Sequence, residues 1–431
     1  MTGDGGVREV DVLVVGAGPA GLCAAAALAR AGCGTVEVLE REQAAGGIPR
    51  HSDHLGYGVR DLHRVVSGPA YAQRLVVSAV EAGALVRVGV SVTGWDLSGA
   101  GPPALATTSR TGLETVRARA VVLATGARER PRAARLVPGV RAAGVYTTGE
   151  LQQAVHTYRQ RIGTRAVIVG AEHVSFSAAV TLRHAGVQVA AMVTDRPRHQ
   201  SYQAFRAGAA LVYRFPVLTG AQVLRLVGGR HRLEGVEVAR ADGTLETIAA
   251  DTVVFTGDWI ADNELARTAG MVMDGASTGP LVDTGLRTSR RGVYAAGNLA
   301  HPVLTADCAA LAGRFVASSV LADLRQQGTG GEPAGWPLGF TEAVRVVVAA
   351  PLRWIVPGRV VDPGTPPPRG RFVLWADDFV KAPRVQVRQG DRLLHTSKGL
   401  RPLVPGRPFE IGAGWLPRVV VDGPEVSVSL Q

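Results

Sequence analysis

The chain has 431 residues, more than one hydrophobic core supports, so two or three domains are expected. Hydrophobic residues make up 46% and charged residues 19%, a globular balance that excludes a disordered or fibrous chain. The net charge of +11 comes almost wholly from scattered arginines, since only Lys381 and Lys398 are lysines. Without a long basic run it reads as surface composition with a capacity for anionic ligands, not as a nucleic-acid footprint.

In chain order, Asp11–Val15 is a short apolar run that feeds the loop Gly16-Ala17-Gly18-Pro19-Ala20-Gly21. Leu22–Ala31 is a strong helix former and Val36–Leu39 a second strand, completing one βαβ unit. Arg41–Tyr71 is loop-rich. Ala72–Ala82 reads as a helix, Leu85–Val92 as a strand and Leu105–Ala118 as a hairpin around Thr111-Gly112. Ala120–Leu123 reads as a strand ending in Ala124-Thr125-Gly126. A second βαβ unit follows at Ala166–Val169, Ser175–Ala185 and Val187–Val193, with further strands at Val223–Val227, Leu233–Ala239 and Thr252–Phe255. Gly292–Ala296 is a strand feeding Gly297-Asn298, and Thr305–Leu324 a long helix. Gln326–Gly339 is rich in Gly and Pro and reads as a linker. Beyond it, Arg371–Trp375, Arg384–Arg388, Arg392–His395, Pro408–Ile411, Arg418–Val421 and Glu425–Leu430 are short, alternating and turn-bounded, the pattern of a small all-β appendage.

The three cysteines, Cys23, Cys33 and Cys308, form no C-x-x-C pair and no metal-ligand spacing, which argues against a disulfide scaffold, a metal centre or an iron–sulfur cluster. The polar first ten residues and the short apolar runs carry no signal-peptide or membrane-spanning pattern, so a cytoplasmic protein without an integral membrane segment is expected.

The first glycine loop has the pattern G-x-G-x-x-G in the context that gives it meaning: a strand before, a helix after, and Glu40 at the end of the next strand, 19 residues beyond Gly21. Gly16 allows the tight turn, Gly18 lets a pyrophosphate approach the backbone, and Gly21 lets helix and strand pack closely. The helix N-terminus offers free N–H groups to phosphate, and Glu40 accepts hydrogen bonds from ribose hydroxyls. The N-terminal position of this fingerprint favours FAD.

Thr125-Gly126, on a strand after a hairpin, and Tyr294-Ala295-Ala296-Gly297-Asn298 resemble the second and third flavin-contacting motifs of flavoproteins with two dinucleotide-binding domains. The third motif normally carries Asp where Asn298 stands. With these motifs, residues 8–325 resemble the pyridine nucleotide-disulfide reductase superfamily. Gly46-Gly47-Ile48-Pro49, Gly56-Tyr57-Gly58 and Ser67-Gly68-Pro69-Ala70-Tyr71-Ala72 are similar to flavoproteins that accompany glycerol-3-phosphate dehydrogenases. More distantly they resemble components of opine and amino-acid dehydrogenases.

The resemblance implies an α/β fold of two Rossmann-like dinucleotide-binding domains, the second (151–284) inserted in the first (1–150 with 285–325); the residue pattern adds a linker at 326–339 and a C-terminal all-β domain at 340–431. The resemblance also implies FAD held by Gly16, Gly18, Pro19, Ala20, Gly21, Glu40, Arg41, Gly47, Val92, Thr125, Gly126, Gly297, Asn298, Thr305 and Ala306. The helix from about Thr305 would aim its N-terminus at the flavin. The implied activity is hydride or electron transfer between flavin and NAD(P)H, a small organic substrate, a carrier or a partner dehydrogenase.

Three departures matter. No redox C-x-x-C is present. The second nucleotide loop reads Gly170-Ala171-Glu172-His173-Val174-Ser175, with Glu172 where a glycine would admit pyrophosphate, which counts against NAD(P)H although Gly170 and the βαβ pattern remain. Ser52 stands where relatives carry Cys.

The cluster His51-Ser52-Asp53-His54 offers acid/base groups beside the flavin or, equally, a loop whose histidines bond locally; its spacing indicates no third metal ligand. His54, His51 and Asp307 are the candidates for proton handling. Thr305 reads as a helix cap, Trp259 as domain-junction packing, His173 and His184 as structural, and Arg128-Glu129-Arg130 as a surface turn. Two further readings stay open: an electron-transfer component of a heteromeric dehydrogenase, and a catalytically silent nucleotide-bound scaffold with a β binding module.

Overall fold

Parallel strands covered by helices on both faces are apolar along their whole length, and Val12, Leu13 and Val14 are fully buried at the centre of the first sheet. The computed structural model describes residues 6–97, 101–202, 214–328, 336, 343–399 and 401–431. The first sheet runs in the order Leu85–Val88, Val36–Glu40, Val7–Val15, Gly112–Leu123, Ala104–Ser109, Ser91–Asp96, and Val293–Ala295 pairs with Gly112–Leu123. Helices α1 (Pro19–Arg30) and α2 (Gly68–Glu81) belong to this unit, and the long helix Ala306–Gly328 returns to it from the far end of the chain.

Two expected elements are redrawn here. The hairpin arm and the strand Ala120–Leu123 are one strand, Gly112–Leu123. It pairs antiparallel with Ala104–Ser109 at its start and parallel with Val7–Val15 over its length. The stretch Leu85–Val92 splits because Gly89, at φ +67, turns the chain between Leu85–Val88 and Ser91–Asp96.

A second, five-stranded parallel sheet has the order Val145–Thr147, Thr252–Phe255, Arg165–Val169, Gln188–Thr194, Val217–Thr219. Helices α3 (Thr148–Gln152) and α4 (His173–His184) lie on it, with an antiparallel layer of Gln222–Gly228, Leu233–Ala239 and Leu245–Ala249. Val145–Thr147 thus pairs in the second sheet, ahead of the boundary expected at residue 150. The antiparallel ribbon Ala127–Glu129 with Trp259–Ala261 joins the two units.

The C-terminal region is all β. One sheet has the order Arg359–Val360, Val344–Val348, Val426–Leu430, Arg384–Gln389, Arg392–Lys398; the other has Leu352–Val356, Arg371–Ala376, Phe409–Gly412. Alternate residues Val385, Val387, Val426 and Val428 enter a core where the Phe372 and Trp415 rings stack at 4.8 Å. The first three strands were not expected from the sequence. Arg418–Val421 is not a strand: its first residue belongs to the turn Leu416–Arg418, and Gly423 N–H closes another turn on Val420 O. The Gln389 side chain then takes the place of a neighbouring strand, accepting from Val420 N–H and donating to Val420 C=O. The first residues of the expected linker, 326–328, continue the long helix. Trp336 packs edge-on against Tyr294, and 329–335 and 337–339 lie outside the described residues.

Backbone meets backbone where α1 crosses the long helix: a methyl group on Gly313 would stand 2.0 Å from the Ala20 carbonyl oxygen. Gly313→Ala is therefore expected to lower stability by about 1–3 kcal/mol through overpacking. Gly101→Ala, whose methyl group enters open space, is expected to change nothing. Thermal unfolding of the two variants checks the contrast.

Candidate functional site

The first glycine loop is built from two collisions avoided. A methyl group on Gly21 would lie 1.9 Å from the Gly16 carbonyl oxygen, and one on Gly16, at φ +102, would lie 2.5 Å from Ala124 O. The loop is thus pressed against its own helix and against the strand end that carries Thr125-Gly126. Gly18, by contrast, faces open space. It caps α1 without a side-chain hydrogen bond, and Pro19 opens the helix, so the first N–H groups of α1 point outward unblocked. Gly46 N–H donates to Ala17 O at 2.8 Å, and Gly47, at φ +62, approaches so closely that a methyl group there would be 2.9 Å from Gly18 Cα.

Glu40 is 9% exposed and accepts from Ala17 N–H at 2.9 Å and Glu42 N–H at 3.0 Å. Burial raises its pKa, against the lowering effect of the Ala17 N–H and of Arg41 and Arg50. A residue not singled out in the sequence ties the neighbouring motifs together. Asp262 O accepts from the Thr125 hydroxyl at 2.7 Å, Asp262 N–H donates to Gly126 O, and the carboxylate sits 3.4 Å from Arg41 and bonds Arg128. Only its position three residues past Trp259, directly after the strand Trp259–Ala261 that pairs with Ala127–Glu129, signals it. Gly297, at φ +69, presses on α1, where a methyl group would be 2.7 Å from Ala20 Cβ.

Asn298 donates to Leu304 O at 3.1 Å and accepts from Leu304 N–H at 2.7 Å. A carboxylate could not donate, so the amide in place of the expected Asp braces the 298–304 turn. Val92 packs against the first core. Thr305 O accepts the Ala309 N–H, the first bond of the long helix that starts at Ala306.

These residues form a cradle with one open glycine face, an uncapped helix N-terminus and a fixed acid at the next strand end. That donor set fits the pyrophosphate and ribose of FAD.

The histidine cluster lies where the turn Ile48–His51 meets α3 and the residues after it. His51 is 1% exposed, and neither ring nitrogen has a hydrogen-bond partner among the described residues. Burial, with the positive charges of Arg50 and His156, pushes its pKa down to about 4. His54 Nδ1 lies 2.9 Å from Leu55 O and so must carry the proton. Its Nε2 then accepts from Ser177 Oγ of α4 at 2.7 Å and faces Ser52 Oγ at 3.1 Å, while Gln152 Nε2 donates to both hydroxyls.

Asp307 stands in a separate network. Its carboxylate accepts from Arg60 N–H, Cys308 N–H and the Thr305 hydroxyl, and Arg60 Nη1 lies 3.7 Å away. It anchors the Arg60 loop to the start of the long helix. Glu129 is buried, not part of a surface turn: it accepts from Gly257 N–H at 2.9 Å and Gly149 N–H at 3.0 Å.

The second nucleotide loop keeps its frame and loses its space. Gly170, at φ +124, lies against Thr256, where a methyl group would be 2.1 Å from Oγ1. Glu172 caps α4 by accepting from Ser175 N–H, and Glu172 N–H donates to Ser175 Oγ at 3.0 Å. Its carboxyl oxygens lie 2.3 and 2.4 Å from where a Gly257 methyl group would be. Burial, reinforced by the negative charge of Glu129 and opposed by Arg135, pushes the acid up to about 8. These residues do not fit a pyridine nucleotide's pyrophosphate. Beside them opens a cleft of about 1680 Å³ that reaches from His173 and Trp259 across Asn298 and Thr305 to Arg371, Lys398 and Arg407 of the β unit.

Residues 10–313 match the pyridine nucleotide-disulphide oxidoreductase family. The chain belongs to that family and is an FAD-dependent oxidoreductase. It is 28% identical to an opine oxidase subunit from Agrobacterium tumefaciens (strain Ach5) over 341 residues, 73% of this chain and 66% of that one, so it spans just under two thirds of that relative. It is 30% identical to ferredoxin–NADP reductase of Salinispora tropica over 66% of this chain and 80% of the relative. The fold is that of T. acidophilum thioredoxin reductase, with a TM-score of 0.61, 24% identity, and coverage of 73% of this chain and 99% of that one. No helix among the described residues is long and apolar enough to cross a membrane.

Asn298→Asp removes the donor to Leu304 O and sets a carboxylate against that carbonyl, at a cost of about 1–3 kcal/mol. It is expected to lower the melting temperature and to speed release of flavin fluorescence on dilution. Glu172 favours its neutral form in the fold. The stability this contributes is fully present below the usual carboxylate pKa and is lost as pH rises through about 8. The melting temperature of Glu172→Gln is therefore expected to gain on that of the parent between pH 5 and pH 9; a constant difference would contradict the assignment.

Proposed function

We propose that this oxidoreductase passes electrons directly between FAD and a small, negatively charged organic substrate, without a redox disulfide. The observation that carries the reading is the disposition of its thiols. Cys23, Cys33 and Cys308 are all unpaired. Burial in α1 pushes the Cys23 thiol up to about 11, and Cys308 Sγ faces Arg369 Nη1 at 3.0 Å in another part of the fold. A dithiol relay needs two sulfurs within disulfide reach.

The flavin, when bound, supplies a two-electron centre at its N5. The glycine loop Gly16–Gly21 and Glu40 hold its pyrophosphate and ribose, Gly47, Thr125, Gly126 and Gly297 shape the walls, and Asn298 fixes the turn beneath. His54 is the group suited to holding or moving a proton at Nε2, because Ser177 and Ser52 keep that nitrogen in a hydroxyl network. Asp307 serves to place Arg60, and His51, buried and neutral, to shape the turn. The substrate's charge is read from the cleft, where Arg60, Arg198, Arg371, Lys398, Arg401 and Arg407 outnumber the acids Glu410 and Glu172, the second of which favours its neutral form.

One observation favours a second reading, an electron-transfer component of a larger dehydrogenase: the relative in Agrobacterium tumefaciens is named as one subunit of an oxidase, and it is longer than the matched part of this chain. Turnover of a substrate by the isolated chain separates the two.

Purified protein is expected to carry FAD, and the flavin to bleach anaerobically with hydroxy acids but not with their uncharged esters. Protein that neither contains nor takes up flavin would sink the reading. His54→Ala is expected to slow bleaching by about 100-fold or more at unchanged flavin content; an unchanged rate would take the proton role from His54.

A further inference from the structure

A dinucleotide-binding loop works because three things coincide at a helix N-terminus: free N–H groups, a glycine that leaves room, and access from solvent. The N-terminus of α4 lacks the first two and keeps the third only in part. Ser175 N–H is taken by the Glu172 carboxyl group, and Glu172 N–H by Ser175 Oγ. The room is taken by the Glu172 side chain, which lies against Gly257. Access is narrowed to the cleft side, where Glu172, His173 and Val174 still line the wall, by a loop from the other end of the chain. Gly406, at φ +82, lies so close that a methyl group on it would stand 3.1 Å from Glu172 Cγ and 2.8 Å from Gln200 Nε2.

That loop is latched rather than merely adjacent. Gln200 donates from Nε2 to Pro405 O at 3.1 Å and from its backbone to Ala171 O at 2.9 Å, so one residue ties the β unit to the nucleotide loop. The Arg407 guanidinium lies 4.7 Å over the Tyr202 ring, and Tyr202 packs on the His173 ring at 4.6 Å. Val404, His199, Gln200 and Ser201, in the segments that meet here, are all buried.

We propose that Glu172 and the Val404–Arg407 loop of the C-terminal β unit close the second dinucleotide site in cis, so that neither NADH nor NADPH binds there. Closure does not depend on the charge of Glu172. Ionised, the carboxylate repels a pyrophosphate in a poorly hydrated place where such repulsion is strong; neutral, it still fills the space. The β unit then has a role in specificity: it removes the family's usual partner of the flavin and leaves the basic cleft beside it for another. The inference rests on the second unit's own geometry and stands apart from the reading of the substrate.

The test is a binding titration of the FAD-loaded protein with NADPH and with NADH, followed by calorimetry and by anaerobic flavin absorbance. Both nucleotides are expected to show no saturable binding up to about 1 mM, the top of the usual KM range, and no bleaching, while dithionite bleaches the flavin fully. Saturable binding of either nucleotide overturns the proposal. A flavin that dithionite does not bleach would speak against the FAD assignment and leave the calorimetric answer standing.

E172G alone is expected to remain without binding, because the loop still covers α4. E172G combined with Q200A and R407A, which unlatch the loop, is expected to bind NADPH at least about tenfold more tightly than the parent's limit, a difference of about 1.4 kcal/mol. Binding by E172G alone would overturn the part assigned to the β unit. A triple variant that keeps its flavin and its melting temperature within a few degrees, yet binds nothing, would overturn the assignment to these residues.

Discussion

The close approach of α1 to the chain around it carries the first unit. Its N-terminal turn is squeezed from three sides: by its own glycine loop at Gly16, by the Gly297 turn, and by the long helix at Gly313. These contacts join segments from residue 16 to residue 313, so the shape of the first glycine loop depends on a helix far away in the sequence. Backbone packed on backbone leaves no side chain to fill the space above Gly18. That opening, with uncapped N–H groups beneath it, is what a pyrophosphate requires. The flavin cradle is thus a by-product of tight helix packing as much as of any polar contact.

The second unit shows the same frame filled differently. Strand, turn and helix recur at Arg165–Val169, Gly170 and α4, and Gly170 still turns under Thr256. The side chain of Glu172 satisfies the helix N-terminus from inside, as a ligand would from outside. Helix ends must have their N–H groups met, by phosphate, water or an acid. A glutamate in the place of a glycine converts a binding site into a capped helix, and the C-terminal β unit packs onto the result. Two βαβ units of the same design have in this way opposite roles, one open to a nucleotide and one closed.

Polar contacts hold the units in register. Asp262 gathers Thr125, Gly126, Arg41 and Arg128; Glu129 joins Gly257 to Gly149; Ser177 and Gln152 meet His54 and Ser52. Each couples the flavin unit's loops to the inserted unit, and each uses a buried or half-buried group that would be costly to leave unpaired. Cys308 marks a similar seam, where the start of the long helix faces Arg369 of the β unit.

By itself the sequence determined the two βαβ units, the spacing of glycines and Glu40, the family resemblance and the β character of the tail. All of these are local: periodicity, turn residues and a short motif depend on neighbours in the chain. It also marked Asn298 and Glu172 as departures, because each stands at a position whose usual residue is known from the motif. Tertiary structure alone decided what those departures do. Asn298 needs both hydrogen-bonding functions of an amide because Leu304 folds back on it, and Glu172 is hemmed in because Gly406, more than two hundred residues away, packs against it. It likewise set the Asp307 carboxylate against Arg60, and placed His54 against Ser177 rather than in open solvent. Contacts between residues so far apart leave no periodic trace, since nothing in the intervening chain has to repeat for them to form.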